Sequence, residues 1–136
     1  MKIVLDTNVL ISGIFFSGSP YQILKAWREG KIKIIASEEI LSEYQRVAEE
    51  LSRQFPSVDI DRILELITIH AELVDASDFQ VTICEDPDDN KFIACALASK
   101  SKTIVSGDKH LINITGYKGI QVVKPREFTD NYLKKR

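Results

Sequence analysis

Cysteine is scarce in this chain. Cys84 and Cys95 form neither a C-x-x-C pair nor part of a His/Cys cluster, which argues against a disulfide framework or a structural zinc and leaves them as core thiols. Histidine is equally rare: with only His70 and His110 available, no Ser-His-Asp or Cys-His arrangement can be argued. The chain has no P-loop signature, no G-x-G-x-x-G, no repeat and no low-complexity segment. No hydrophobic run is long enough to span a bilayer. The apolar N-terminus is interrupted by Asp6 and Asn8 with no small-residue cleavage site after them, so a cytoplasmic location is expected. A basic excess is missing too, since 18 Lys and Arg stand against 20 Asp and Glu for a net charge of -2. Binding to long duplex nucleic acid by phosphate neutralisation alone is therefore disfavoured, and any nucleic-acid contact must be local, brief or metal-mediated. The one cationic concentration, Lys134-Lys135-Arg136 with Lys118, Lys124 and Arg126, reads as a solvated terminus.

What is present is a composition of 44% hydrophobic and 28% charged residues, that of a globular protein, and a length of 136 residues that suits one domain over 1–136. Ile3, Val4 and Leu5 read as a strand buried on both faces, followed by a helix carrying Val9, Leu10, Ile11 and Ile14. Ser17-Gly18-Ser19-Pro20 breaks the chain, with Ser19 expected as N-cap of a helix that ends at Gly30 and carries Trp27 on its core stripe. A strand is expected over 31–36, then a helix capped by Ser37 whose buried face is Ile40, Leu41, Tyr44, Val47, Ala48 and Leu51. After a break at Gln54-Phe55-Pro56-Ser57, a further helix carries Val58, Ile60, Ile63, Leu64, Ile67 and Ala71, and 72–75 reads as a short strand. The small, apolar segment 93–99 reads as a helix packed on a sheet, with strands over 103–106 and 120–123 and a closing helix containing Phe128 and Tyr132. Strands alternating with helices predict an α/β fold with a mainly parallel sheet of about five strands, whose right-handed crossovers bring all strand C-termini to one edge.

The acids matter because several are expected at that edge. Asp6 leaves the first strand where open α/β sheets form their ligand crevice, although it could simply cap the next helix. Asp108 leaves a later strand in the same way and could equally cap the turn at Lys109-His110-Leu111. Glu43 borders the buried face of its helix, as a surface acid or a crevice residue. In Asp86-Pro87-Asp88-Asp89, Asp86 reads as an N-cap; Asp89 faces the core because Phe92, Ile93 and Ala96 follow at helical spacing, while Asp88 turns outward. Simple capping and metal ligation both remain open for this cluster. An EF-hand is rejected, because Lys91 stands where its glycine belongs and Leu97 where its glutamate belongs. If the four acids converge, their repulsion calls for a cation, and all-oxygen donors select a hard ion, Mg2+ or Mn2+, as in phosphodiester hydrolysis.

Taken together, Ile3-Val4-Leu5-Asp6-Thr7-Asn8-Val9-Leu10-Ile11, Glu43, Asp86-Pro87-Asp88-Asp89-Asn90-Lys91-Phe92-Ile93-Ala94 and Val105-Ser106-Gly107-Asp108 resemble the motif set of PIN-domain ribonucleases. The resemblance covers nearly the whole chain and is strongest to the small prokaryotic toxins of VapC-like toxin–antitoxin pairs. It implies a PIN-like three-layer fold and a magnesium- or manganese-dependent endoribonuclease, usually a homodimer, held inactive by a separately encoded antitoxin. It also implies Asp6, Glu43, Asp89 and Asp108 as the acidic quartet and Asn8 and Ser106 as neighbours that orient ligands or water; the motifs fix no Lys or Arg for substrate positioning, and Lys91 is near enough to consider and no more. Two rival classes are an aspartyl phosphotransferase, disfavoured because Asn8 breaks the Asp-x-Asp pattern, and a non-catalytic adaptor of the same fold.

Overall fold

The computed structural model describes residues 1–133. Five parallel strands form the sheet: β1 (Lys2–Leu5), β2 (Lys33–Ala36), β3 (Glu72–Leu73), β4 (Thr103–Val105) and β5 (Gln121–Val123), in the order β3-β2-β1-β4-β5. Helices α1 (Thr7–Phe15), α2 (Ser19–Arg28), α3 (Glu38–Ser52), α4 (Ile60–His70), α5 (Asn90–Ser99), α6 (Lys109–Ile112) and α7 (Pro125–Phe128) flank it. Central β1 pairs Val4 with both Ile35 and Ile104, and Ile3, Val4 and Leu5 are completely buried, as a strand covered on both faces requires. The chain runs outward from β1 in both directions. The strand order therefore reverses between β1 and β4, and the crevice of such a sheet opens beyond their C-terminal ends.

Four details of the packing aim the later chemistry. α1 lies so close to α2 that a Cβ on Gly13 would stand 2.7 Å from Leu24 Cδ1 and from the Pro20 carbonyl oxygen, which leaves room for glycine alone. Ser37 caps α3 by accepting from the Ile40 amide at 3.3 Å. Buried Tyr44 donates its hydroxyl to the Leu5 carbonyl and so locks the rotation of α3 against the end of β1. α5, with Phe92, Ile93, Cys95 and Ala96 buried, packs on β1, β2, β4 and α3.

Several boundaries depart from the sequence reading, each for a local reason. Gly18, not Ser19, is the N-cap of α2, because the chain enters that helix at φ +110°, a conformation side chains disfavour. β2 begins at Lys33 and not at residue 31, since the Lys31 amide is committed to the Ala26 carbonyl at the end of α2. β3 stops at Leu73 because Asp75 turns the chain by accepting from the Ser77 amide at 2.9 Å. α7 is a single turn that passes into a wide π-type turn over Thr129–Leu133. The basic residues 134–136 of the sequence reading lie outside the described residues. Among the described residues no helix is long and apolar enough to cross a membrane.

Candidate metal centre

Asp6 emerges from β1 with its amide still bonded to the Val105 carbonyl of β4, so its side chain stands at the reversal of strand order. It precedes α1 without capping it through its side chain. Its Oδ2 instead accepts from the Ser106 hydroxyl at 2.6 Å, and the same Ser106 oxygen accepts from the Asp108 amide at 3.0 Å. One fully buried hydroxyl thus ties the ends of β1 and β4 together. Burial pushes the Asp6 carboxyl above its ordinary pKa, the Ser106 bond opposes this, and Asp108 and then Glu43 add repulsion.

Asp89 follows Asp86, whose side chain accepts from the Asp88 amide at 3.0 Å and starts a single 3-10 turn, Pro87–Asp89, ahead of α5. Asn90 braces this turn from inside by accepting from the Cys84 amide. Asp89 is 7% exposed, whereas Asp88 lies in solvent. Oδ2 of Asp89 is buried and has no hydrogen-bond partner. Burial, followed by the charges of Asp108, Asp6 and Asp86, raises the Asp89 carboxyl to about 7.

Glu43 projects from the middle of α3, and each of its oxygens has a donor: Thr7 at the head of α1 donates to Oε2, and Lys91 in the first turn of α5 donates to Oε1 as an ion pair. Arg46 reaches the same Oε1 at 4.0 Å from the rim. Asp108 does cap its turn, accepting from the His110 amide at 2.9 Å, and remains close enough to Asp6 and Asp89 to raise both. Asp6, exposed Asn8 and Asp108 open onto a crevice of about 350 Å³. Larger hollows lie elsewhere, such as one of about 490 Å³ beside Trp27 and His70, so size does not mark the acidic edge.

Asp6, Glu43, Asp89 and Asp108 thus come from four separate parts of the chain: Asp108, Glu43 and Asp89 each lie within electrostatic reach of Asp6, and Ser106 is bonded between Asp6 and Asp108, but of the four acids only Asp6 and Asp108 line the crevice, with Asn8. Two contacts escaped the sequence reading. Thr7 and Lys91 both grip Glu43, across 36 and 48 residues, separations that no local spacing reveals. The cluster suits a hard divalent ion in its donor chemistry, which is all oxygen, and in the unpartnered Asp89 oxygen. Among the described residues no three Asp, Glu, His or Cys side chains stand ready to hold a metal as they are, so ligation requires these side chains to draw together.

The sequence is 31% identical over 147 aligned residues to the uncharacterised protein MJ1680 of Methanocaldococcus jannaschii, covering 98% of this chain and 93% of that protein. The fold is similar to that of a chain in the crystal structure of VapBC2 from Rickettsia felis bound to a DNA fragment from their promoter. The TM-score is 0.61 at 16% identity, covering 91% of this chain and 98% of that one, a likeness of fold. The PIN domain family model matches residues 2–110, a span that contains all four acids and Ser106. The parallel sheet, the order of its elements and this match over most of the length agree: the chain belongs to the PIN domain family.

Proposed function

We propose that this chain acts as one PIN-like nuclease unit, a Mg2+- or Mn2+-dependent endoribonuclease that hydrolyses phosphodiester bonds of single-stranded or structured RNA. In this reading Asp6, Glu43, Asp89 and Asp108 hold the ion, while Ser106 keeps Asp6 aimed and Asn8 orients ligands or water at the crevice mouth. Once bound, the ion supplies an activated water and stabilises the leaving oxygen. The observation that carries the proposal is the Asp89 Oδ2 atom, buried without a partner beside carboxylates that repel it, a cost a cation would relieve. Family membership supports the nuclease chemistry. The likeness of fold to a chain of VapBC2 supports a toxin restrained by a separately encoded antitoxin, and the proposal extends to a cytoplasmic homodimer.

The test is cleavage of a single-stranded RNA by the purified protein with Mg2+ or Mn2+, repeated in excess EDTA. Asp6→Asn and Asp89→Asn should each lower the rate by roughly a hundredfold or more, the size expected for losing a preorganised charge-stabilising group. Asp88→Asn should leave it nearly unchanged. Equal cleavage in EDTA would defeat the metal mechanism. A second reading, a non-catalytic adaptor, is favoured by the lack of a ready-made three-ligand group among the described residues, and it predicts a chain that binds neither ion.

A further inference from the structure

We infer that Lys91 is a built-in cation that holds Glu43 in the metal-free chain and is displaced when a divalent ion takes that carboxylate, so that ion and ammonium compete for one ligand. The inference rests on the ion-site reading above and adds to it a control on metal loading.

Lys91 lies in the first turn of α5, where a positive charge opposes the helix dipole, so the helix itself gives no reason for it. Its side chain crosses instead to α3. Lys91 and Glu43 are only 15% and 12% exposed, whereas Arg46, the other cation near Glu43, is 62% exposed. In a pair this shielded, unlike a surface ion pair, losing either partner strands a charge that water cannot fully solvate. Among the described residues the ion pairs recorded within the acidic cluster both end on Glu43. Asp6, Asp89 and Asp108 are left to repel one another with no cation among them, and one buried Asp89 oxygen has no hydrogen-bond partner. The acids therefore divide in two: three that await a cation and one that already has its own. Thr7 on Oε2 anchors Glu43 as the acids draw together, so at Glu43 the exchange is made at the Oε1 contact, which passes from Lys91 to the ion. Two cations on one shielded oxygen would repel strongly, which makes the exchange competitive and not additive.

Calorimetric titration of the full chain with Mn2+ tests this. Lys91→Met should bind Mn2+ at least about fivefold more tightly than the wild type, the low end for coupling between two sites, while Lys91→Arg stays near the wild type. In a Glu43→Gln background, adding Lys91→Met should bring no such gain. Measurable wild-type binding with an equal or weaker Lys91→Met affinity overturns the inference alone, as does an undiminished gain beside Glu43→Gln. A wild type that binds no Mn2+ overturns the ion-site reading and this inference with it. Because Lys91→Met leaves Glu43 without its cation, the native chain supplies a second readout. The 13C resonance of the Lys91 ε-carbon, identified by its loss in Lys91→Arg, should move as Mg2+ is added to saturation. A resonance that stays in place while Mg2+ binds would overturn the exchange.

Discussion

The Ser106 hydroxyl donates to Asp6 Oδ2 at 2.6 Å and accepts the Asp108 amide at 3.0 Å, so a single buried side chain joins the two strand ends between which the sheet reverses its order. Partners of this kind fix the direction of a ligand's lone pairs. Ser106→Ala should weaken Mn2+ binding or slow RNA cleavage by about 10- to 100-fold. It should also raise the Asp6 pKa further, since the bond that opposes desolvation is gone. A titration and a cleavage assay on the same preparation check this, and unchanged values in both would assign Ser106 a purely structural part.

Tyr44 stands next to Glu43 on α3 and donates its hydroxyl to the Leu5 carbonyl one residue before Asp6. Tyr44→Phe keeps the ring and removes that bond from a buried site, so it should destabilise the chain by about 1–3 kcal/mol. Because the bond sets the rotation of α3, cleavage should fall as well. Urea denaturation beside the cleavage assay measures both, and a variant as stable and active as the wild type would show that packing alone orients the helix.

How much of this was legible in the sequence depends on range. The register of Asp89 could be read because Phe92, Ile93 and Ala96 follow it at helical spacing, and the structure buries Asp89 while exposing Asp88. The parallel sheet followed from short buried runs such as Ile3 to Leu5 alternating with amphipathic helices. Capping was harder to judge. Asp6 and Asp108 look alike at the ends of strands, yet only Asp108 caps through its side chain, because Ser106, a hundred residues from Asp6, takes the Asp6 oxygen. The grip of Thr7 and Lys91 on Glu43 was illegible for the same reason. Such contacts depend on how α1, α3 and α5 meet, and no local spacing encodes that.

Asp89 also makes stability depend on pH. Its carboxyl, raised to about 7, binds a proton more tightly in the folded chain than in the unfolded one, where an aspartate titrates at about 3.9. Metal-free stability should therefore decline as pH rises from about 4 to about 7 and stay reduced above that. Asp6, also raised, adds to the same trend. Asp89→Asn removes the Asp89 contribution, so its stability relative to wild type should be greatest near pH 8 and shrink on acidification. Denaturation in EDTA across this range measures it, and a wild-type stability that climbs with pH from 5 to 8 would contradict the assignment.

Whether Asp6, Glu43, Asp89 and Asp108 act as one ion site is tested, without knowledge of any substrate, by melting the chain with and without Mn2+. Mn2+ at about a hundredfold over its dissociation constant should stabilise the wild type by about 2.7 kcal/mol and raise its Tm accordingly. Asp6→Asn, relieved of repulsion, should melt at or above the wild type in EDTA yet gain little from the metal. Exposed Glu49, which accepts a hydrogen bond from Gln45 on the surface of α3, supplies the control, and Glu49→Gln should match the wild type in both conditions. A wild type indifferent to Mn2+, or an Asp6→Asn variant with an undiminished increment, would mean that the four carboxylates are separate features of the fold and not one site.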